Sequence, residues 1–296
     1  MTTFGDQVYQ FGGQPVGSGV GIPMIMPTSR YYYVDKENGL SGNSGMSANS
    51  PLDTIAAAIT LMNARINWSD SPWAQNDTLI IAPGKYDETL TSLPYGCNVI
   101  GLGDAYDLNG ERGVTIYSST GSAFDGTSVI NTRLQNLAFE GTGANPVFQV
   151  DNFNRNVMVG CVFSGNTGDT TTNAFEVVKD MTGNRITNCK FHRAAYGMYI
   201  NTDNANSKQA PDNIIEHCYV TGCTTAGMHF NANDVPSFTV INHCVIGDGS
   251  TTLALGLDDD TDQVGVFNTC FEATANDPAS GAGKYNNCYL NGALIT

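Results

Sequence analysis

The sequence has few charged residues, few histidines and no long apolar segment. Charged residues make up 14% of the 296 residues, and 28 acidic residues outnumber 13 basic ones, which gives a formal net charge of −15. Such an acidic chain is repelled by phosphate backbones and anionic lipid surfaces, so we expect no nucleic acid and no membrane as partners. We find no apolar run of about 18 residues and no signal peptide, and therefore expect a soluble protein made in a cytosol.

Cysteine is abundant, and its placement is regular. Six of the eight cysteines recur at intervals of 18 to 29 residues, in the phrases VMVGCVF, RITNCKF, IIEHCYV, VINHCVI, VFNTCFE and KYNNCYL. They are Cys161, Cys189, Cys218, Cys244, Cys270 and Cys288. A period of this length indicates stacked repeats, and the apolar–polar alternation within each phrase indicates strands. We predict a ladder of buried, reduced thiols at one inward position of each repeat, as in a reducing compartment.

The alternation slips by one residue just before each cysteine. Ile186 and Asn188 share one parity, whereas Cys189 and Phe191 share the other. Because side chains alternate strictly along a strand, the slip predicts a bend between two strands. The bend position holds residues that tolerate a left-handed backbone, with Thr269 as the poor fit. The predicted bend residues are Asn136, Gly160, Asn188, His217, His243, Thr269 and Asn287, and we expect the asparagines Asn136, Asn188 and Asn287 to form a structural ladder.

A third strand is visible between the phrases, for example in Ala174-Phe175-Glu176-Val177. Three short strands per repeat, with one bend at asparagine, resemble the pectate-lyase-like superfamily. That resemblance implies an all-β, right-handed parallel β-helix (solenoid). The run from YYYVD through NSPLDTIAAAI to DTLIIAPGKYDE also resembles the opening of tailspike-like β-helices.

We expect an extended anchoring arm over residues 1–29 and a single β-helix body over residues 30–296. The arm is rich in Gly and Pro yet carries large apolar residues, which an arm that binds a partner surface needs. These residues are Phe4, Tyr9, Phe11, Ile22, Met24 and Met26. A capping helix is predicted over residues 50–67, with Ser50 as N-cap and Pro51 at the first helical position.

No complete catalytic set is found in the sequence. Asn201-Thr202-Asp203 is similar to the first motif of the polygalacturonase family, but that family's later motifs do not appear. The acidic loop with Asp258, Asp260 and Asp262 is a weak calcium candidate without a nearby base, and otherwise a solvated loop. His217-Cys218 and His243-Cys244 straddle the bend and therefore diverge too far for zinc. We expect no cofactor and no enzyme.

Two functional hypotheses remain. The main one is a structural bacteriophage virion protein, namely a capsid decoration (cement) protein that is assembled in the host cytoplasm, displayed on the virion surface as a homotrimer and anchored on the major capsid protein. The alternative is a tailspike or receptor-binding protein, attached to a tail or baseplate protein, that recognises or cleaves host surface polysaccharide. The alternative requires an acid pair about 5–10 Å apart in a groove. A cellular carbohydrate-binding β-helix is a third reading.

Overall fold

The structure is a computed structural model of the 296-residue chain. It describes residues 10–11, 14–15, 29–65, 76–105, 112–165, 172–201, 210–231, 238–247, 252–257, 264–273 and 284–295. Nearly all elements in these ranges are strands that stack in parallel, coil upon coil. The protein is a right-handed parallel β-helix, which confirms the predicted fold class. Within the described ranges, no helix is both long and apolar enough to cross a membrane.

The wall of the β-helix has three faces. Face A is a ten-stranded sheet, and faces B and C are two parts of a fourteen-stranded sheet that share the long strands β16 and β18. The strands of face A are β3 (Tyr31–Val34), β4 (Thr78–Ile81), β6 (Asn98–Gly101), β9 (Arg133–Gln135), β12 (Val157–Val159), β15 (Arg185–Thr187), β17 (Ile214–Glu216), β19 (Val240–Asn242), β22 (Gly265–Phe267) and β24 (Lys284–Asn286).

The strands of face B are β5 (Gly84–Asp87), β7 (Val114–Tyr117), β10 (Leu137–Gly141), β13 (Val162–Gly165), the first part of β16 (Lys190–Ile200) and of β18 (Tyr219–Phe230), β20 (Val245–Gly247), β23 (Cys270–Glu272), β25 (Cys288–Leu290) and the antiparallel β26 (Ala293–Ile295). Face C contains β8 (Phe124–Ile130), β11 (Phe148–Asn154), β14 (Asn173–Thr182), the second part of β16 and β18, and β21 (Leu253–Leu257).

Two left-handed residues bracket strands β9, β12, β15, β17 and β19 of face A. Arg155 (φ 57°) precedes β12 by one buried residue, and Gly160 (φ 63°) follows it directly. The corner before the strands holds Asn131, Arg155, Gly183, Asp212 and Phe238, and the corner after them holds Asn136, Gly160, Asn188, His217, His243, Asn268 and Asn287. A left-handed residue turns the chain sharply, so each pair closes one coil. The sequence predicted only the second corner.

One rung of that second corner differs from the prediction. Asn268, not Thr269, takes the left-handed conformation, with φ 47°. Thr269 is therefore the fully buried residue after the bend, and its hydroxyl donates to the Phe267 carbonyl over 2.8 Å. Cys270 is therefore the second residue after the bend instead of the first, and its side chain is exposed. The prediction that it lies inward is wrong. The other five ladder cysteines, Cys161, Cys189, Cys218, Cys244 and Cys288, are buried and reduced.

The interior is filled by columns of like side chains, one per rung. Phe139, Phe163 and Phe191 stack with ring centroids 5.2 and 5.1 Å apart. A second column, Phe124, Phe148 and Phe175, stacks at 4.3 and 5.3 Å and meets the first column edge-on. Parallel in-register strands place the residues of each column about 4.8 Å apart along the axis, and offset or edge-on rings are favourable at the observed distances.

A fully buried polar ladder follows the first corner. The Oδ1 atom of Asn156 accepts the backbone N–H of Thr132 at 2.9 Å, and Asn184 accepts that of Asn156 at 2.9 Å. Asn213 accepts that of Asn184 at 3.1 Å. Each amide nitrogen in turn donates to a buried carbonyl, as Asn184 Nδ2 does to Phe153 O at 2.7 Å. The ladder thus satisfies backbone groups that bend away from the sheets.

The helix only partly matches its predicted bounds. α1 (Ile55–Arg65) begins at Ile55 instead of directly after Ser50, because the Glu88 carboxylate accepts the N–H groups of both Ile55 and Ala56 at 2.9 Å. Leu52 instead forms a parallel bridge with Val34 of β3. The buried side of α1 joins the core beside β3, the first rung of face A.

Besides residue 29, only four residues of the predicted arm lie in the described ranges. They form an antiparallel pair of β1 (Gln10–Phe11) and β2 (Gln14–Pro15). Phe4, Tyr9, Ile22, Met24 and Met26 lie outside the described residues, as do residues 66–67 of the predicted capping helix.

We predict that Asn184→Leu lowers the free energy of unfolding by several kcal/mol. The leucine leaves the Asn156 N–H and the Phe153 carbonyl without their partner inside the protein, and each unsatisfied buried group costs about 1–3 kcal/mol. Denaturant unfolding followed by circular dichroism measures the change. The matched control is Asn145→Leu at an exposed loop position, where we expect a change within about 0.5 kcal/mol. Equal stability of the two variants contradicts a structural role for the ladder.

Candidate functional site

Five polar or aromatic side chains form a straight row on the outer side of face C. Asp125 pairs in register with Gln149, Gln149 with Glu176, Glu176 with Tyr199, and Tyr199 with His229. Their strand neighbours, such as Phe175 and Val177 on either side of Glu176, are fully buried. Because side chains alternate along a strand, the row points away from the core.

The row contains two carboxylates in different environments. Burial raises the pKa of Glu176, and the negative charge of Asp125 raises it further, while a hydrogen bond from Asn173 opposes these effects. Asp125 is exposed. The two residues are two rungs apart, so their backbones are roughly 9–10 Å from one another. A carboxyl group with a raised pKa and an exposed carboxylate at such a distance suit two different roles in one reaction.

Aromatic rings continue the row beyond Glu176. Tyr196 lies 4.8 Å from Tyr199 and stacks on His229 at 5.5 Å, measured between ring centroids. At the end of the same strands, Asn231 Nδ2 donates to Asn201 Oδ1 at 2.6 Å and to the Tyr199 hydroxyl at 3.4 Å. Aromatic surface beside amides and carboxylates offers a sugar both apolar contact and hydrogen-bond partners.

A neighbouring carboxylate on face C is already engaged. Asp151 accepts a hydrogen bond from Lys179 Nζ at 2.5 Å, as part of an ion pair. Asp125, which is exposed and lies on the other side of Gln149 from Glu176, is therefore the carboxylate that we pair with Glu176.

The residues considered for metal or catalytic sites in the sequence lie elsewhere. Asn201 ends face C, but Thr202 and Asp203 are outside the described residues, as are Asp258, Asp260 and Asp262. His217 and His243 stack on one another at 5.2 Å, while the cysteines that follow them are buried. Across the described ranges, no three His, Cys, Asp or Glu side chains converge as metal ligands.

The face C row was not found from the sequence. Glu176 and Tyr199 lie in strands that the sequence did predict, but the outward residues of successive rungs share no common type. The number of residues between two in-register positions depends on the length of the intervening loop, so the alignment of these side chains is visible only in the structure.

The comparisons with known proteins find the fold in several solved structures. No protein-family model and no curated protein matches the chain. The pectin methylesterase of Aspergillus niger matches with a TM-score of 0.53 and 13% identity, over 90% of this chain and 85% of that one. Pectin methylesterase PemA of Erwinia chrysanthemi matches with a TM-score of 0.51 and 12% identity, over 91% and 92% of the two chains.

A phage protein matches equally well. The tailspike gp49 of Acinetobacter baumannii bacteriophage Fri1, a capsular polysaccharide depolymerase, has a TM-score of 0.53 at 11% identity; the match covers 92% of this chain and 53% of the tailspike. At such low identity these similarities establish the β-helix and no particular activity.

These similarities correct one expectation from the sequence. We expected no enzyme, because known catalytic motifs are missing, but the compared structures are two esterases and a depolymerase. Enzymes of more than one kind are thus built on this fold, and the missing motifs of one family do not exclude catalysis. The capsid decoration hypothesis gains no support from these structures, whereas its alternative gains some.

Proposed function

We propose that this protein is a tailspike-like, polysaccharide-binding β-helix that cleaves its polymer on face C. The observation that carries the proposal is the row in which Glu176, with its raised pKa, and the exposed Asp125 flank Gln149 in register. The tyrosines beside the row supply a stacking surface for sugar rings.

We infer hydrolysis with inversion, because the backbones of Glu176 and Asp125 lie two rungs apart, roughly 9–10 Å. Glycosidases of this type hold their carboxyl groups roughly 6.5–9.5 Å apart, which leaves room for a water molecule beside the sugar. Glu176 donates its proton to the glycosidic oxygen as the bond from that oxygen to the anomeric carbon breaks. Asp125 accepts a proton from the water whose oxygen forms the new bond to the same carbon. One water is consumed, and each product carries a complete hydroxyl group.

We predict that Glu176→Gln slows cleavage by about 100-fold or more, since an amide donates no proton to the leaving oxygen and general acid catalysis contributes about 10²–10⁴ in rate. The measurement is the release of reducing ends from a panel of purified bacterial capsular polysaccharides and alginate. Activity of the unmodified protein should fall as the pH rises through the pKa of Glu176, because the acid is then lost. The matched control is Glu272→Gln, an exposed position on face B, which should keep the full rate. Full activity of the Glu176 variant contradicts the assignment.

We also propose that the protein is displayed on a virion surface as a homotrimer, with face B as the contact between subunits. Tyr219, Val245, Cys270 and Tyr289 form one in-register row on the outside of that face. Tyr219 is 47% exposed and Tyr289 is 40% exposed. A contiguous exposed row of large apolar side chains is typical of surfaces that bind another protein.

We predict a solution mass of three times the 31.5 kDa of one chain, measured by light scattering. Cys270 is the one exposed thiol of the eight, so its rate of reaction with a thiol reagent reports directly on face B. The rate of this reaction should fall as the protein concentration rises into the range in which trimers form. A monomeric mass contradicts self-association, and a trimer in which Cys270 reacts freely contradicts the choice of face B.

A further inference from the structure

A recess at the corner between faces C and A has a chemical character unlike the rest of this acidic protein. Its volume is about 260 Å³, below the roughly 300–1,000 Å³ of sites for drug-sized ligands. It therefore suits one sugar unit better than an oligomer. The lining residues with polar side chains include Asn76, Asn98, Asn131, Arg133 and Arg155, and no carboxylate lines the recess.

The corner geometry brings the two arginines together. Arg155 follows β11 directly and has φ 57°, and Asn131 takes the same position after β8 with φ 53°. Arg133 is the first residue of β9 and pairs in register with Asn98 on one side and Val157 on the other. Since successive coils stack at about 4.8 Å, Arg133 and Arg155 lie on adjacent rungs of one wall.

Among the described residues, neither guanidinium has an ion-pair partner. The four ion pairs among the described residues are Arg65–Asp77, Lys85–Glu140, Lys179–Asp151 and Arg185–Glu216. Arg133 donates from Nε to Gln135 Oε1 at 3.1 Å, a neutral acceptor that leaves the charge in place. Asp77, next to Asn76 in the sequence, is fully buried and already paired with Arg65.

We propose that this recess binds a carboxylate-bearing sugar unit, so that the polysaccharide recognised by the protein is an acidic one. A guanidinium presents two parallel N–H donors that match the two oxygens of a carboxylate. The exposed amide of Asn131 is placed to bond a sugar hydroxyl. The inference rests on the proposed function, since it assumes a polysaccharide ligand.

The recess is separate from the acid pair on face C. Asp125 lies near the start of β8, and Asn131 comes directly after its end, which amounts to roughly 20 Å at about 3.3 Å per residue. A polymer that spans this distance places different sugar units in the recess and beside Glu176. Binding in the recess and cleavage on face C are therefore separable by mutation.

The test compares an alginate hexamer with its carboxyl-reduced, neutral counterpart by titration calorimetry at low salt. We expect the intact protein to prefer the acidic hexamer. Arg155→Gln and Arg133→Gln should each lower the affinity for that hexamer about 10-fold or more, since a hydrogen bond to a charged group contributes about 1.5–3 kcal/mol. Affinity for the neutral hexamer should not change. Arg155→Lys keeps the charge but lacks the two parallel N–H donors, so it should lower the affinity for the acidic hexamer less than Arg155→Gln does. Arg193→Gln, at another exposed left-handed position, is the matched control and should bind as the unmodified protein does.

Three outcomes overturn the proposal. The first is an intact protein that shows no preference for the acidic hexamer. The second is that the arginine variants lose affinity for both hexamers equally. The third is displacement of the acidic hexamer by inorganic phosphate at equal concentration, which indicates a general anion site. The outcome for face C is read independently. If Glu176→Gln keeps full cleavage while Arg155→Gln loses acid preference, the catalytic assignment fails and the recess stands.

Discussion

The rung-to-rung register of the parallel strands is the constraint on which every other feature of this protein depends. Each coil accepts hydrogen bonds from the next, so a residue at one position lies about 4.8 Å from the residues at the same position of the coils above and below. The phenylalanine columns, the thiol ladder and the buried asparagine ladder are all consequences of that spacing. The register holds because two left-handed residues close the coils of β9, β12, β15, β17 and β19 at fixed places around these short strands of face A.

The sequence predicted the parts of the fold in which one rung repeats the chemistry of the next. The phrase around each cysteine contains the face A strand and its second corner, so those could be found. The first corner has Thr132, Asn156, Asn184 and Thr239 after its bend, a mixture of types with one physical role, and no repeated letter shows it. The error at Thr269 has the same origin, since a threonine hydroxyl substitutes for the thiol there while Cys270 lies outside.

The start of α1 was misplaced for a different reason. Ser50-Pro51 is a favourable local signal for a helix start, but Glu88, distant in the sequence, caps the helix at Ile55. A tertiary contact thus overrides a local preference. Such contacts cannot be read from the segment alone.

The candidate site shows why a motif search failed on this fold. In a β-helix, functional groups meet because they share a register, and one residue per coil is too sparse a pattern to form a motif. Asp125, Gln149 and Glu176 come from three successive coils and have no fixed spacing in the sequence. The same argument applies to Arg133 and Arg155, which come from two successive coils. The outer surface of this solenoid is thus free to vary while the buried ladders hold its geometry. An acidic protein can thereby carry a local basic recess without any cost to the core, and this separation makes both proposed sites open to mutation in a folded protein.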